Sequence, residues 1–146
     1  MTDRFKFRVW SKDSSQYIEK ECHSCCLFHN GQLDCYNLKD GDCDCIYDNY
    51  PEDDLIIEQC TGLKDKNGKL IYEGDILRSE SYPFKSDNEY HYAAEVCFDE
   101  ESAVFFYYVF RTSTKVAGRS EGNTGQINEY NWEIIGNIHE NKDLLK

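Results

Sequence analysis

The residues most able to do chemistry in this chain are its cysteines, eight among 146 residues. Cys22-His23-Ser24-Cys25-Cys26, followed by Cys43-Asp44-Cys45, has the residue types of a structural zinc site. The second half is Cys-x-Cys, where such sites ordinarily use Cys-x-x-Cys. Local geometry raises a further objection. Asn30-Gly31 and Asp40-Gly41 are hairpin signals, because both turn positions of a two-residue loop need positive φ. Together they predict a three-stranded meander over residues 25–47, with Cys26 opposite Cys35, Phe28 opposite Leu33 and Leu38 opposite Cys43. In that register Cys25 and Cys45 flank Tyr36 from two different strands, roughly 9–10 Å apart. Thiolates on one zinc must approach within about 4 Å of each other. The cysteines therefore read as small apolar side chains on a thin sheet. Cys26 and Cys35 are expected to be close enough for a disulfide on oxidation, and reduced in a cytosol.

A second candidate is Glu73-Gly74-Asp75, two carboxylates nominally on one strand face. Glycine within a strand marks a bulge or a close backbone approach, and no histidine or nucleophile stands near these acids in sequence. His23, His29, His91 and His139 are scattered. There is no nucleophile elbow, phosphate-cradling glycine loop or His-Glu-x-x-His pattern. No catalytic, cofactor-binding or metal-ligating residue is nominated, no cofactor is expected, and the chain is read as a non-enzyme.

The elements around these residues are strands. Phe5, Phe7 and Val9 alternate with charged residues, and Trp10 breaks that phase, as a residue capping the strand end would. Gln16 to Glu19 predicts a short return strand. Asn49 to Asp54 is a polar break, placing a lobe boundary between residues 53 and 54. Leu55 opens a strand running toward Leu63, and Asp65-Lys66-Asn67-Gly68 fits a type I turn closed by a left-handed glycine. Leu70-Ile71-Tyr72 returns, and Ile76-Leu77 continues after the Gly74 bulge, which should bend the strand into a corner. Residues 79–89 form a polar loop. Tyr90, Tyr92, Ala94, Val96 and Phe98 alternate cleanly as a half-buried strand. Residues 103–110 (AVFFYYVF) are apolar on both faces and predict a central, fully covered strand whose aromatics are core. Thr112 to Gly125 reads as a loop. Trp132 to Ile138 is a last strand, and Asn141 is placed to N-cap a short helical turn through Leu145.

Three of these stretches resemble the YopX family of phage and prophage proteins. They are Phe5-Lys6-Phe7-Arg8-Val9-Trp10, the long run Thr61 to Ile76 (TGLKDKNGKLIYEGDI), and Ile134 to Leu145 (IIGNIHENKDLL), in the family's order and spanning nearly the whole chain. The resemblance implies a mainly β protein with an SH3-like barrel lobe, encoded by a phage or prophage, with no established biochemical role. Lys142-Asp143 stands where the family usually has Pro-Glu. The cysteine-rich residues 22–45 lie outside the family's pattern. The expected architecture is thus an irregular antiparallel meander lobe over residues 1–53, a barrel lobe over 54–146, and a short C-terminal helical turn.

Charge bears on partners. The formal charge is −12. Six basic against eleven acidic residues in 1–53 give −5, five against twelve in 54–110 give −7, and 111–146 is balanced at five against five. An acidic chain repels phosphate backbones, and Arg4/Lys6/Arg8/Lys12 and Arg111/Lys115/Arg119 read as solvated faces. No leader or membrane-length apolar run is seen, so a bacterial cytoplasmic location is expected. The expected function is a non-enzymatic protein-interaction module of a phage, with an unidentified host or phage protein as partner and self-association through sheet edges. The alternatives are a small-barrel nucleic-acid binder using the Arg111/Lys115/Arg119 loop, an acidic DNA mimic that inhibits a host protein, and a metal-dependent activity in the cysteine lobe.

Overall fold

The computed structural model describes residues 3–18, 23–27, 33–37, 54–79, 92–111, 124–127 and 132–145. The chain is mainly β, and among the described residues helix is confined to short 3-10 turns. It divides into two compact units, one of residues 8–57 and the other of residues 1–7 with 58–146. Among the described residues no helix is long and apolar enough to cross a membrane.

In the unit of residues 8–57, β1 (Phe7–Ser11) pairs with β2 (Gln16–Tyr17), Trp10 opposite Tyr17. Trp10 does not cap the strand. It lies within β1, buried, its ring edge-on to Tyr17 at 4.9 Å between centroids, because the strand runs on through Ser11 and phase alone mislocated its end. A hairpin follows from β3 (His23–Leu27) and β4 (Leu33–Asn37). Its register differs from that expected: Cys25 stands opposite Cys35, Leu27 opposite Leu33 and Cys26 opposite Asp34. Every pairing is slipped by one from the register that a two-residue turn at Asn30-Gly31 would set. The cross-strand cysteine pair is Cys25–Cys35, not Cys26–Cys35. The third meander strand, with Cys43 and Cys45, lies outside the described residues, as do Phe28, Asn30-Gly31 and the loop around residues 80–91.

The other unit carries the family stretch. β5 (Leu55–Lys64) pairs with β6 (Leu70–Tyr72), Cys60 opposite Tyr72 and Lys64 opposite Leu70. Four steps along β5 thus match two along β6, and the surplus is a bulge at Thr61-Gly62. Gly62 has φ +80°. The Thr61 hydroxyl donates to the Ile71 carbonyl at 2.9 Å and accepts the Leu63 N–H at 3.1 Å, bridging the gap in the ladder. Next come β7 (Asp75–Ser79), β8 (Tyr92–Asp99), β9 (Val104–Arg111), β10 (Thr124–Gln126) and β11 (Glu133–Asn137). These form one antiparallel sheet in the order β10-β9-β8-β7-β11, curved as a half-barrel.

One face of that sheet holds the core: Leu77, Ala94, Val96, Tyr107 and Val109, joined by Ile71, Ile127 and Trp132. Tyr107 and Trp132 pack with ring centroids 5.0 Å apart. The cross-strand pairs Ala94–Val109, Val96–Tyr107 and Phe98–Phe105 place those side chains inward. The alternate pairs Glu95–Tyr108, Cys97–Phe106 and Asp99–Val104 therefore share the outer face. Here β9 departs from expectation. It lies between β8 and β10 but is not fully covered, with Val104 49% and Tyr108 42% exposed. An apolar run reads as two buried faces, yet only the odd positions 105, 107 and 109 face the core. The expected loop 112–125 ends differently too: Thr124 and Gly125 pair with Tyr108 and Tyr107 in β10.

Candidate functional site

The family stretch places its polar side chains on the protein's own backbone. Gly68 has φ +84° and donates to the Asp65 carbonyl at 2.9 Å, closing the expected turn. One Asp65 carboxylate oxygen accepts the N–H groups of Asn67 and Lys69, both at 2.9 Å. The other reaches the Ile134 N–H at 3.2 Å, and the Lys66 N–H donates to the Trp132 carbonyl at 2.8 Å. The turn thereby fastens itself to β11, 69 residues downstream. Burial alone would raise the Asp65 carboxyl, but the Lys69, Ile134 and Asn67 donors hold it below its ordinary value. Asp75, buried, accepts the Tyr72 N–H at 2.8 Å across the Glu73-Gly74 break. Neither aspartate is placed as a general base.

Gly74 sits where several strands converge. Its N–H donates to the Val96 carbonyl, and its own carbonyl accepts the Ile138 N–H, both at 2.9 Å. With φ +79°, an added Cβ would lie 2.6 Å from Glu58 Oε1. The glycine is therefore the left-handed position of a turn between β6 and β7, where the sequence suggests a bulge within one strand, and it is a close approach whose neighbour is a carboxylate.

Glu58, on β5, is buried against that surface, and its Oε1 lies 2.7 Å from His139 Nε2. The side chains are only 3% and 11% exposed respectively. His139 is delivered there by the turn after β11. Asn137 Oδ1 accepts the N–H groups of His139 at 3.0 Å and Glu140 at 2.9 Å, and Asn137 Nδ2 donates to Glu140 Oε2 at 2.8 Å. Asn141 does not N-cap the closing 3-10 turn (Lys142–Leu145) with its side chain. Its Oδ1 accepts the Asn137 N–H at 3.1 Å, and its carbonyl receives Leu144. Gly136 leaves room for this, since a Cβ there would lie 2.5 Å from Asn141 Oδ1.

The Glu58–His139 pair borders the outer face of the half-barrel. Ile76, opposite Glu95 on that face, is fully buried. Glu95 and Cys97 on β8 and Phe106 on β9 are half-buried, while Tyr108 and Val104 are exposed. Cover thus thins from β7 toward β9. Burial raises the Glu95 carboxyl, partly countered by His139. Burial also raises Glu73, reinforced by the Glu58, Glu100 and Glu95 carboxylates. The Cys97 thiol is pushed up to about 11, first by burial and then by Glu95 and Glu73. A nucleophilic cysteine needs the opposite surroundings. Among the described residues no three Cys, His, Asp or Glu side chains are grouped to hold a metal ion.

Of the sequence candidates, Glu73 and Asp75 part company: one is half-buried in the β6–β7 turn with its carboxyl raised, and the other binds the Tyr72 N–H. The missed residues are Glu58 and His139, 81 positions apart. No local pattern joins them. The one sequence signal is the glycine at 74, which marks a close approach without naming what approaches.

Comparison with known proteins places this architecture. The YopX protein family model matches residues 6–146. Solved structures that resemble the chain include two from bacteria. One is protein yopX from Bacillus subtilis, 22% identical with a TM-score of 0.62, covering 96% of this chain and 97% of that one. The other is protein EF1440 from Enterococcus faecalis, 24% identical with a TM-score of 0.59, covering 97% of each. At these identities the likeness is one of fold. A comparison with curated proteins finds no match. The family match runs through β1, the bulged β5–β7 stretch and the β11 turn, and the chain belongs to the YopX family.

Proposed function

We propose that the chain is a phage or prophage accessory protein of the bacterial cytoplasm, an SH3-like barrel acting as a non-enzymatic protein-interaction module. The observation that carries this reading is the outer face of the half-barrel, where Tyr108 and Val104 stand 42% and 49% exposed. Large apolar side chains grouped on one sheet face serve binding more readily than folding. The motif chemistry supports the same reading from the other side. Asp65, Asp75, Asn137 and Asn141 bind the protein's own backbone, and Cys97 is held as a thiol. Carboxylates on the open face disfavour a phosphate backbone as the partner.

The test is reciprocal affinity purification from phage-producing cells, combined with light scattering over a range of concentrations. A stoichiometric protein partner, or concentration-dependent self-association, is expected. A monomer at every concentration with no reciprocal partner contradicts the reading.

A further inference from the structure

Cys25 on β3 stands directly opposite Cys35 on β4, the middle of the five pairs that make up the hairpin. Directly opposed residues of an antiparallel pair lie on one face of the sheet, with Cα atoms about 4.5 or 5.5 Å apart according to the type of pair. Both values fall inside the range of about 4.4–6.8 Å that a disulfide spans. No other cysteine among the described residues is placed in this way. Cys26 stands opposite Asp34, Cys60 opposite Tyr72 and Cys97 opposite Phe106, and Cys60 and Cys97 are free thiols. The hairpin is also an element that a cross-link would change. Among the described residues β3 and β4 pair only with each other, and an isolated two-stranded hairpin is marginally stable in water. A bond across its middle pair removes conformational freedom from the open chain.

We propose that Cys25 and Cys35 are a redox-sensitive pair, joined reversibly as a disulfide by exchange with a low-molecular-weight disulfide of the glutathione class. The bond fastens β3 to β4 and is independent of the protein-interaction reading above. The thiolate of one cysteine attacks a sulfur of the small disulfide, forming a mixed disulfide and expelling one small thiolate. The second cysteine then attacks the protein sulfur of that mixed disulfide and expels the other small thiolate. Two protein thiols thereby lose two electrons and two protons, and the small disulfide becomes two thiols. In a reducing cytosol disulfides are usually transient and catalytic or redox-sensing. A bond opened and closed by the thiol–disulfide ratio around it belongs to the sensing kind.

The test equilibrates the full chain with mixtures of reduced and oxidised glutathione, quenches with acid and alkylates the remaining thiols in urea. Chymotrypsin then cuts after Phe28, between the two cysteines, and mass spectrometry maps the products. Wild-type protein should give one linked pair of peptides, carrying Cys25 and Cys35, with Cys60 and Cys97 alkylated. Dithiothreitol should return both peptides to the alkylated form. Cys25→Ser and Cys35→Ser should each abolish the link and leave the remaining cysteine carrying glutathione, whereas Cys26→Ser should keep the link. Circular dichroism establishes that each variant is folded, and the wild-type map stands without them. Amide hydrogen exchange in β3 and β4 should slow by about tenfold or more on oxidation, in line with an ordinary disulfide, and that of β8 and β9 should not change. A link that survives Cys25→Ser and is lost in Cys26→Ser would restore the register of a two-residue turn and overturn the proposal. So would a link from Cys35 to Cys22, Cys43 or Cys45, or glutathione held on wild-type Cys25 or Cys35 without closure. Absence of oxidation at every ratio, or hairpin exchange that oxidation leaves unchanged, would overturn it too.

Discussion

His139 Nε2 lies 2.7 Å from Glu58 Oε1, with both side chains nearly out of water and with Gly74 so close that a Cβ would fall 2.6 Å from the same oxygen. This relationship ties the β5 strand, the Glu73-Gly74 turn before β7 and the turn after β11 into one joint. Removing one partner of a buried pair leaves the other unanswered, which typically costs about 3–5 kcal/mol. Glu58→Gln and His139→Gln are each expected to destabilise by about 3 kcal/mol in urea. The double variant should lose clearly less than the sum of the two. Additive losses would mean that the two side chains act independently.

The same contact ranks the glycines. Gly68 and Gly74 have similar φ, +84° and +79°, but a Cβ at Gly68 meets nothing within 4 Å. Gly68→Ala should therefore lose only the cost of a left-handed backbone, about 1 kcal/mol. Gly74→Ala adds a collision with Glu58 and should lose at least twice as much. Urea unfolding of the two variants checks the order, and equal midpoints would contradict the close approach at Gly74.

Acid unfolding should report on Asp65. Its folded value lies below the ordinary 3.8 because three backbone N–H groups outweigh its burial. A depressed carboxyl contributes stability above its unfolded pKa and loses it as pH falls through the folded value. Asp65→Asn should thus be less stable at pH 7 and show a shallower loss of stability on going from pH 5 to pH 2. An unchanged acid limb would contradict the assignment.

Glu95 should behave in the opposite sense. Burial raises its folded value above 4.5, so any stability linked to its proton is fully present below pH 4.5 and is lost as pH rises through the folded value. Glu95→Gln should raise the urea midpoint at pH 7 and leave it nearly unchanged at pH 3.5.

Much of this architecture was legible because it is local. Asp65 to Gly68 announces its turn through residues only three apart, and the alternation of Ala94, Val96 and Phe98 announces β8. Where reasoning slipped, distant or absent information decided. Asn30-Gly31 looks like a complete two-residue turn, but β3 and β4 pair one step away from the register it sets, with Cys25, not Cys26, opposite Cys35. The β9 run is apolar at every position, so its pattern does not reveal that 104, 106 and 108 face away from the core. Glu58 sits among ordinary strand residues and His139 in an ordinary turn, and only the convergence of three segments at Gly74 makes them a pair.

Cys97 offers a chemical check on the outer face. With its thiol pushed up to about 11, roughly one part in a thousand is thiolate at pH 8. Alkylation by iodoacetamide, mapped to Cys97 by mass spectrometry, should be far slower in the native protein than in urea. Rapid native labelling would show that the carboxylates and burial around it are not as described.

The most direct test of the proposed role, in which the family stretch is scaffold and the open face of β8 and β9 takes the partner, is amide NMR of the labelled protein titrated with the protein recovered by reciprocal purification. The account predicts shift changes concentrated at Glu95, Cys97, Val104, Phe106 and Tyr108, with Thr61 to Gly68 and Asn137 to Asn141 nearly still. Changes centred on Asp65, Gly68 and Asn141 instead would contradict it.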